Sequence, residues 1–321
     1  MKHFDVVTVG SALKDIMFYS QEINVTRDRN KKVIEMDYGV KIPINDVFVN
    51  YGGGAVNVAV GLKNFGLDVS PLVCLGNDQV GKEIYAHLKK ERIDTSLIQV
   101  NKKEKTGFSI VISAAKDKEH TIFTHKGASS FLTMPNLRGF RTKWFCVSAL
   151  SNKDWVAEFE KIVRQTKRGV KIAWNPGLKQ LRNFKQMMPF LPAIDVLILN
   201  REEAFRLLAD INPKFEKYGT SDSRLLLTKL KAIGPRNVIV TQGARGVVAI
   251  DETGMFHYFP AKAIQSRIVD TVGAGDSFVS GFLAAMIRWG NFSKALQLGI
   301  RNSAHNLYRV GAQNGLLKIK L

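Results

Sequence analysis

Asp270-Thr271-Val272-Gly273-Ala274-Gly275-Asp276-Ser277-Phe278 is the stretch whose reading decides the fold. Ile268-Val269 leads into it as the apolar close of a strand. Phe278, Phe282, Ala285 and Trp289 follow at helical spacing, with Gly290 placed to end the helix. Strand, small-residue turn and helix are therefore expected in that order. The first N–H groups of such a helix lack intrahelical partners and lie at the positive end of its dipole, so the turn suits anionic oxygens. Gly273, Ala274 and Gly275 carry almost no side chain and let a charged group approach the backbone. Asp276 puts a carboxylate where an anion would dock. It can simply cap the helix, or it can take the proton of a hydroxyl that attacks a phosphoryl group held by the amides.

Well upstream, Tyr51-Gly52-Gly53-Gly54-Ala55-Val56-Asn57-Val58-Ala59 opens another helix, which runs to about Phe65 and is ended by Gly66. Taken together and in this order, the two stretches resemble the paired signatures of the ribokinase-like (phosphofructokinase-B type) family of carbohydrate and nucleoside kinases. The resemblance implies an α/β fold with a mostly parallel central sheet, helices on both faces and a small β lid. It implies an ATP-dependent kinase that uses magnesium and phosphorylates a hydroxyl of a small sugar-like acceptor. Asp276 then matches the catalytic base, and the backbone of Gly273, Ala274 and Gly275 the anion hole. Gly53, Gly54 and Asn57 match residues that touch the acceptor.

Phe4–Val9 reads as a buried strand closed by Gly10-Ser11, and Asp15 follows just past its end, where open α/β sheets place ligands. By resemblance Asp15 bonds sugar hydroxyls; a solvated turn carboxylate is the alternative. Residues 33–50 alternate apolar and polar with Gly39 as a turn, which suits half-exposed antiparallel strands. A β lid is expected from about 12–50 and about 107–125, the latter a strand pair (108–112 and 120–124) with a charged turn at 116–119. Its edge is a candidate for pairing with a second copy of the chain. Lys126 follows, either a solvated lysine or a contact for an anionic acceptor group.

Strand-like runs at 72–76, 144–149, 170–174, 195–199, 237–241 and 246–250 alternate with helix-like runs at 80–92, 153–168, 178–188 and 293–308. That rhythm predicts βαβ units within one domain over 1–321. The polar stretch 212–223 reads as a surface loop. Asn200, with Glu203 three residues on, forms a capping box. The resemblance also gives Asn200 to the nucleotide phosphates and Glu203 to magnesium, held through water. It gives Thr241, Gly243 and Gly246 to ATP, and Asn302 to the adenine. Asp270 and Gly311 match positions around which some members bind a monovalent cation such as potassium.

Within the family the acceptor is open. Ribokinases proper carry a Glu near the end of the strand that here reads Trp144-Phe-Cys-Val-Ser-Ala-Leu150, and this chain has none. A nucleoside would call for stacking rings, with Phe18, Tyr19 and Phe48 as candidates that suit core packing equally. A phosphosugar would call for cations such as Lys41 or Lys126. A non-catalytic binding or regulatory module on the same fold is the alternative of a different class.

The formal net charge of +19 favours encounters with ATP or phosphorylated substrates. The basic residues are dispersed, without aromatic interleaving, so a solvated basic surface is expected rather than a nucleic-acid site. No apolar run approaches the ~18 residues a membrane span needs. Cys74 and Cys146 sit in apolar runs and read as reduced core residues, and the histidines lack zinc-site spacing. A cytoplasmic protein is expected.

Overall fold

Near-continuous apolar runs form strands when both faces of a sheet are covered, and the central runs of this chain do so. The computed structural model describes residues 1–28, 31–114, 120–136, 139–212, 222–262 and 268–321. Its main sheet has eight strands, in the spatial order Phe256–Phe259, Val247–Ile250, Asn237–Thr241, Val196–Asn200, Lys171–Trp174, Phe140–Val147, Lys2–Val9 and Val69–Leu72. The strands from Asn237–Thr241 to Val69–Leu72 run parallel, and the first two add an antiparallel edge.

Successive side chains of a strand enter opposite layers. Cys146, Ala173, Ile198 and Ile239 enter one core, built with helices Gly54–Asn64, Ala274–Trp289 and Phe292–Asn306. Their neighbours Val147, Trp174, Leu199 and Val240 enter the other, with helices Trp155–Val163, Arg201–Ile211 and Ser223–Ala232. The expected mostly parallel α/β architecture is what the chain adopts. Both cysteines are free and buried. Among the described residues no helix is long and apolar enough to cross a membrane.

A second sheet of four strands, in the order Thr121–Gly127, Thr106–Ala114, Leu13–Ser20 and Asp46–Gly52, stands beside the first. Here local expectation and structure part. Asp15 lies inside strand Leu13–Ser20 rather than in a turn. Leu-Lys-Asp-Ile-Met-Phe-Tyr-Ser hides its strand character because apolar residues fall on both of its faces. Gly39 does turn the chain, at φ 84°, but the segment before it pairs backward: Lys31–Glu35 runs antiparallel to Asn24–Asp28.

The expected strand at 72–76 is two strands. Val69–Leu72 ends in the main sheet, and Cys74–Gly76 pairs separately with Gln99–Asn101. The helical runs 153–168 and 178–188 are also broken. The first tightens into a 3₁₀ turn at Arg164–Arg168, and the second divides at Asn183 into Leu178–Arg182 and Phe184–Met187. No strand forms at 268–271; Val269 N–H instead donates to the Leu307 carbonyl at 2.8 Å. The charged turn at 116–119 and most of the loop at 212–223 lie outside the described residues.

Candidate active site

Beyond the C-terminal ends of the parallel strands opens a cleft of about 310 Å³. Ser11, Ser148 and Asn175, each just past a strand end, line it together with Glu203. Asp15, Ser109, Thr124 and Lys126 enter from the small sheet, and Asn57, Gly273 and Asp276 from helix openings. Residues distant in sequence and singled out there separately, Asp15, Gly53, Gly54, Asn57, Glu203, Gly273 and Asp276, thus share one space.

Helix Ala274–Trp289 starts after Gly273, which sits at φ 75° and makes no side-chain cap. A Cβ at Gly273 would lie 2.3 Å from that of Ala312, so the fold itself demands glycine there. A Cβ at Gly275 would meet nothing within 4 Å. The first intrahelical bond runs from Ser277 N–H to the Gly273 carbonyl at 2.9 Å, so the N–H groups of Gly275 and Asp276 precede it and stay in the unpaired first turn. The cap is therefore Gly273, not Asp276, and the aspartate is released from capping. Its Oδ2 accepts a 2.8 Å hydrogen bond from Asn57 Nδ2 instead. Asn57 stands in the first turn of helix Gly54–Asn64, whose cap Gly53 at φ 92° passes so close to the Ser11 carbonyl that a Cβ would lie 2.5 Å from its oxygen.

The electrostatics follow from burial. Loss of water pushes the Asp276 carboxyl up to about 6, with the Asn57 hydrogen bond opposing and the Asp15 charge adding to the rise. Burial likewise lifts Asp15 to about 6, against the hydrogen bond donated by the Ser109 hydroxyl and the charge of Lys126. Burial holds Lys126 below the usual lysine range, opposed by Asp15. Two carboxylates poised near neutrality on either side of one cleft suit proton transfer at physiological pH.

On the nucleotide side, Asn200 and Thr241 are register partners at the ends of adjacent parallel strands. A 3₁₀ turn, Gly243–Arg245, follows, and Gly246 sits at φ 93°. Asn200 and Glu203 form the expected box, Asn200 N–H donating to Glu203 Oε2 at 2.9 Å and Glu203 N–H to Asn200 Oδ1 at 2.8 Å. Burial raises the Glu203 carboxyl, opposed by the Asn200 amide and reinforced by Glu202.

Other candidates lie outside the cleft. Asn302 is 0 % exposed: its amide donates to the Ser277 carbonyl at 2.7 Å and accepts from Leu317 N–H at 2.9 Å, bracing the last two helices. Asp270 accepts from Val272 N–H at 3.0 Å and Gly311 N–H at 2.8 Å, tying the glycine turn to the C-terminal loop. Tyr19 and Phe48 pack edge to face, 5.9 Å between ring centres, and no aromatic ring lines the cleft among the described residues. No group of three or more His, Cys, Asp or Glu among the described residues is arranged to hold a metal ion by itself.

Sequence reasoning missed Ser109, Ser148, Asn175 and Gln313. Ser109 could have been found from the two-residue strand period, since Val111 shares its face, and Asn175 from its place after a strand end. Gln313, which donates to Asn57 Oδ1 at 2.8 Å, had no local signal.

The chain is 28 % identical over 276 residues to the ribokinase of Haemophilus influenzae, covering 84 % of each chain. It is 22 % identical over 325 residues to the ATP-dependent 6-phosphofructokinase of Thermoanaerobacterium thermosaccharolyticum, covering 97 % of this chain and 90 % of that one. In fold it is similar to the crystal structure of the Methanocaldococcus jannaschii nucleoside kinase, a member of the ribokinase family, with a TM-score of 0.76 at 21 % identity over 98 % of this chain and 96 % of that one. The model of the pfkB family of carbohydrate kinases matches residues 5–319, and the chain belongs to that family.

Proposed function

We propose that this protein transfers the γ-phosphoryl group of ATP to a hydroxyl of a small sugar or sugar-like acceptor, with Asp276 as general base. One observation carries the reading: a half-buried carboxylate, freed from capping, stands beside unpaired first-turn amides in the same cleft as Asp15 and Asn57. Asp15 and Asn57 orient the acceptor. Asp276 takes the hydroxyl proton as the acceptor oxygen bonds to the γ-phosphorus, the bond to the β–γ bridging oxygen breaks, and ADP leaves. Of the 273–275 amides, that of Ala274 already donates to the Thr271 carbonyl at 3.3 Å, so Gly275 N–H, with Asp276 N–H beside it, would hold charge on the moving group. The backbone at Gly275 is open to approach, since a Cβ there would meet nothing within 4 Å.

Asn200, Thr241, Gly243 and Gly246 flank the strand ends where the nucleotide would lie. Glu203 fits a magnesium ion held through water: one oxygen takes the Asn200 N–H, the other is free of that bond, and the residue lines the cleft. Magnesium, when bound, neutralises phosphate charge. A potassium ion near Asp270 and Gly311 would act on the glycine turn those residues already tie together.

The small sheet would act as a lid that excludes water. Its row Asn50, Asp15, Ser109, Thr124 is polar on the cleft side, whereas the adjacent row Val49, Ile16, Ile110, Phe123 is apolar and faces away. Val49 is 51 % and Phe123 56 % exposed, which supports pairing of two lids in a homodimer.

A second reading, an anionic acceptor such as a phosphosugar, is favoured by Lys126, a cation inside the acceptor half of the cleft. Turnover with a panel of sugars, phosphosugars and nucleosides tests both, since Lys126→Met would raise KM only for anionic acceptors. Salt-sensitive binding to RNA or DNA with no turnover on the panel would instead favour a non-catalytic module.

A further inference from the structure

Within the cleft the amide of Asn57 donates to Asp276, and the groups that aim it there lie outside the cleft. A carbonyl or carboxylate oxygen can only accept a hydrogen bond, and two such oxygens remove the freedom of two side-chain amides. Gln313 Nε2 lies 2.6 Å from the Tyr51 carbonyl oxygen and 2.8 Å from Asn57 Oδ1. The Tyr51 carbonyl therefore holds the NH₂ end of Gln313 on that side. Gln313 Oε1 then meets His87 Nε2 at 2.8 Å, and that ring nitrogen must carry the proton. The Asn57 atom receiving Gln313 must be its oxygen, which leaves its NH₂ for Asp276 Oδ2 at 2.8 Å. Turned over, Asn57 would set oxygen against carboxylate and NH₂ against NH₂. His87 comes from helix Gln79–Lys90 and packs its ring on Tyr51, with centres 5.5 Å apart. Neither His87 nor Gln313 lines the cleft.

We propose that Gln313 and His87 are positioning residues for phosphoryl transfer, holding the Asn57 amide in the one orientation that donates to the base. The proposal rests on Asp276 as base. It gives the C-terminal loop a part in catalysis through a chain of donors that runs one way, from imidazole to glutamine to asparagine to aspartate. The last bond stabilises the charged carboxylate, so its loss moves the proton affinity of Asp276 upward. The groups that act on this carboxylate are Asn57, Asp15 and the buried Cys146 thiol, with Lys126 and Glu203 in the same cleft.

Gln313→Glu is the sharpest test, because a carboxylate of the same shape cannot donate to Asn57 and would reverse the direction of the chain. Gln313→Met and His87→Phe remove the donors while keeping bulk. Each is expected to lower kcat about tenfold, to leave KM for ATP unchanged, and to move the acid limb of kcat/KM to higher pH. His87→Gln, which keeps a donor, should recover most of the loss. Independently of turnover, the Asn57 side-chain amide in ¹⁵N-asparagine-labelled full-length protein should titrate together with Asp276, and should lose that coupling in Gln313→Glu and Gln313→Met. Unchanged kcat, pH limb and Asn57 signal in both Gln313 variants would overturn the proposal, whatever their melting temperatures. A parent protein with no turnover whose Asn57 signal still responds to Gln313→Glu would uphold the relay and overturn only the base assignment.

Discussion

Helices Arg201–Ile211 and Ala274–Trp289 each carry an acid three places after the cap, Glu203 in one and Asp276 in the other, yet the two openings are built to opposite ends. In the first, Asn200 offers a side chain, Glu203 folds back onto it, and the opening is closed upon itself. In the second, Gly273 offers none, so Asp276 turns across the cleft to Asn57 and the first-turn amides stay open. The acid at the third position is common to both. What separates a helix end closed upon itself from an open one is the residue at the cap.

The strongest way to break this contrast is Asp276→Asn. It should cut kcat by at least ~10³ while nucleotide affinity stays near the parent value, as measured by turnover and calorimetry. Stability should move the other way. Burial lifts the carboxyl from its ordinary 3.8 to about 6 in the folded chain, so the folded state holds the extra proton between those values. The charged form is penalised above about 6, and Asp276→Asn should raise the melting temperature at pH 7, with the gain fading as the pH falls toward 4. In the parent, kcat/KM should decline as the pH drops through about 6, where the base becomes protonated.

Next in size is the pair of glycines. Gly275→Ala introduces a methyl group into space that the chain leaves empty, so it should lower kcat by about 10–100-fold with no loss of stability, alanine being the better helix former. Gly273→Ala should instead unfold the turn by roughly 1–3 kcal/mol, because it strains a left-handed φ and strikes Ala312. Equal stability losses at both positions, read by denaturant titration, would erase the distinction between a ligand-shaped and a fold-shaped glycine.

Glu203→Gln sharpens the other side. A glutamine can still close the capping box, so the helix should persist while the magnesium concentration for half-maximal turnover rises about tenfold. The smallest effect belongs to Asn200→Ala, a loss of about 1 kcal/mol seen as a small drop in melting temperature.

Local pattern carried much of this protein. Gly273 to Asp276, the Asn57 opening and the capping box are short-range features, recognisable from residues within one helical turn. The parallel strands were readable because burial on both faces leaves uninterrupted apolar runs such as Val196–Leu199. Strand Leu13–Ser20 was not, since its apolar residues fall on both the cleft-facing and the outward face. The break after Leu72 was equally hidden, because a change of sheet leaves hydrophobicity untouched.

Asn302 shows the limit from the other side. The family resemblance gave it to the adenine, but helix packing carries it into the core, where it braces the helix pair. The chain alone thus determined which residues can open a helix toward an anion, because cap chemistry is a matter of neighbours in sequence. Only the tertiary structure decided which of them face one another, that Asp15 and Asp276 share one cleft, and that Gln313 reaches Asn57. Burial and hydrogen-bond direction arise when distant segments meet, and no pattern along a single segment encodes that meeting.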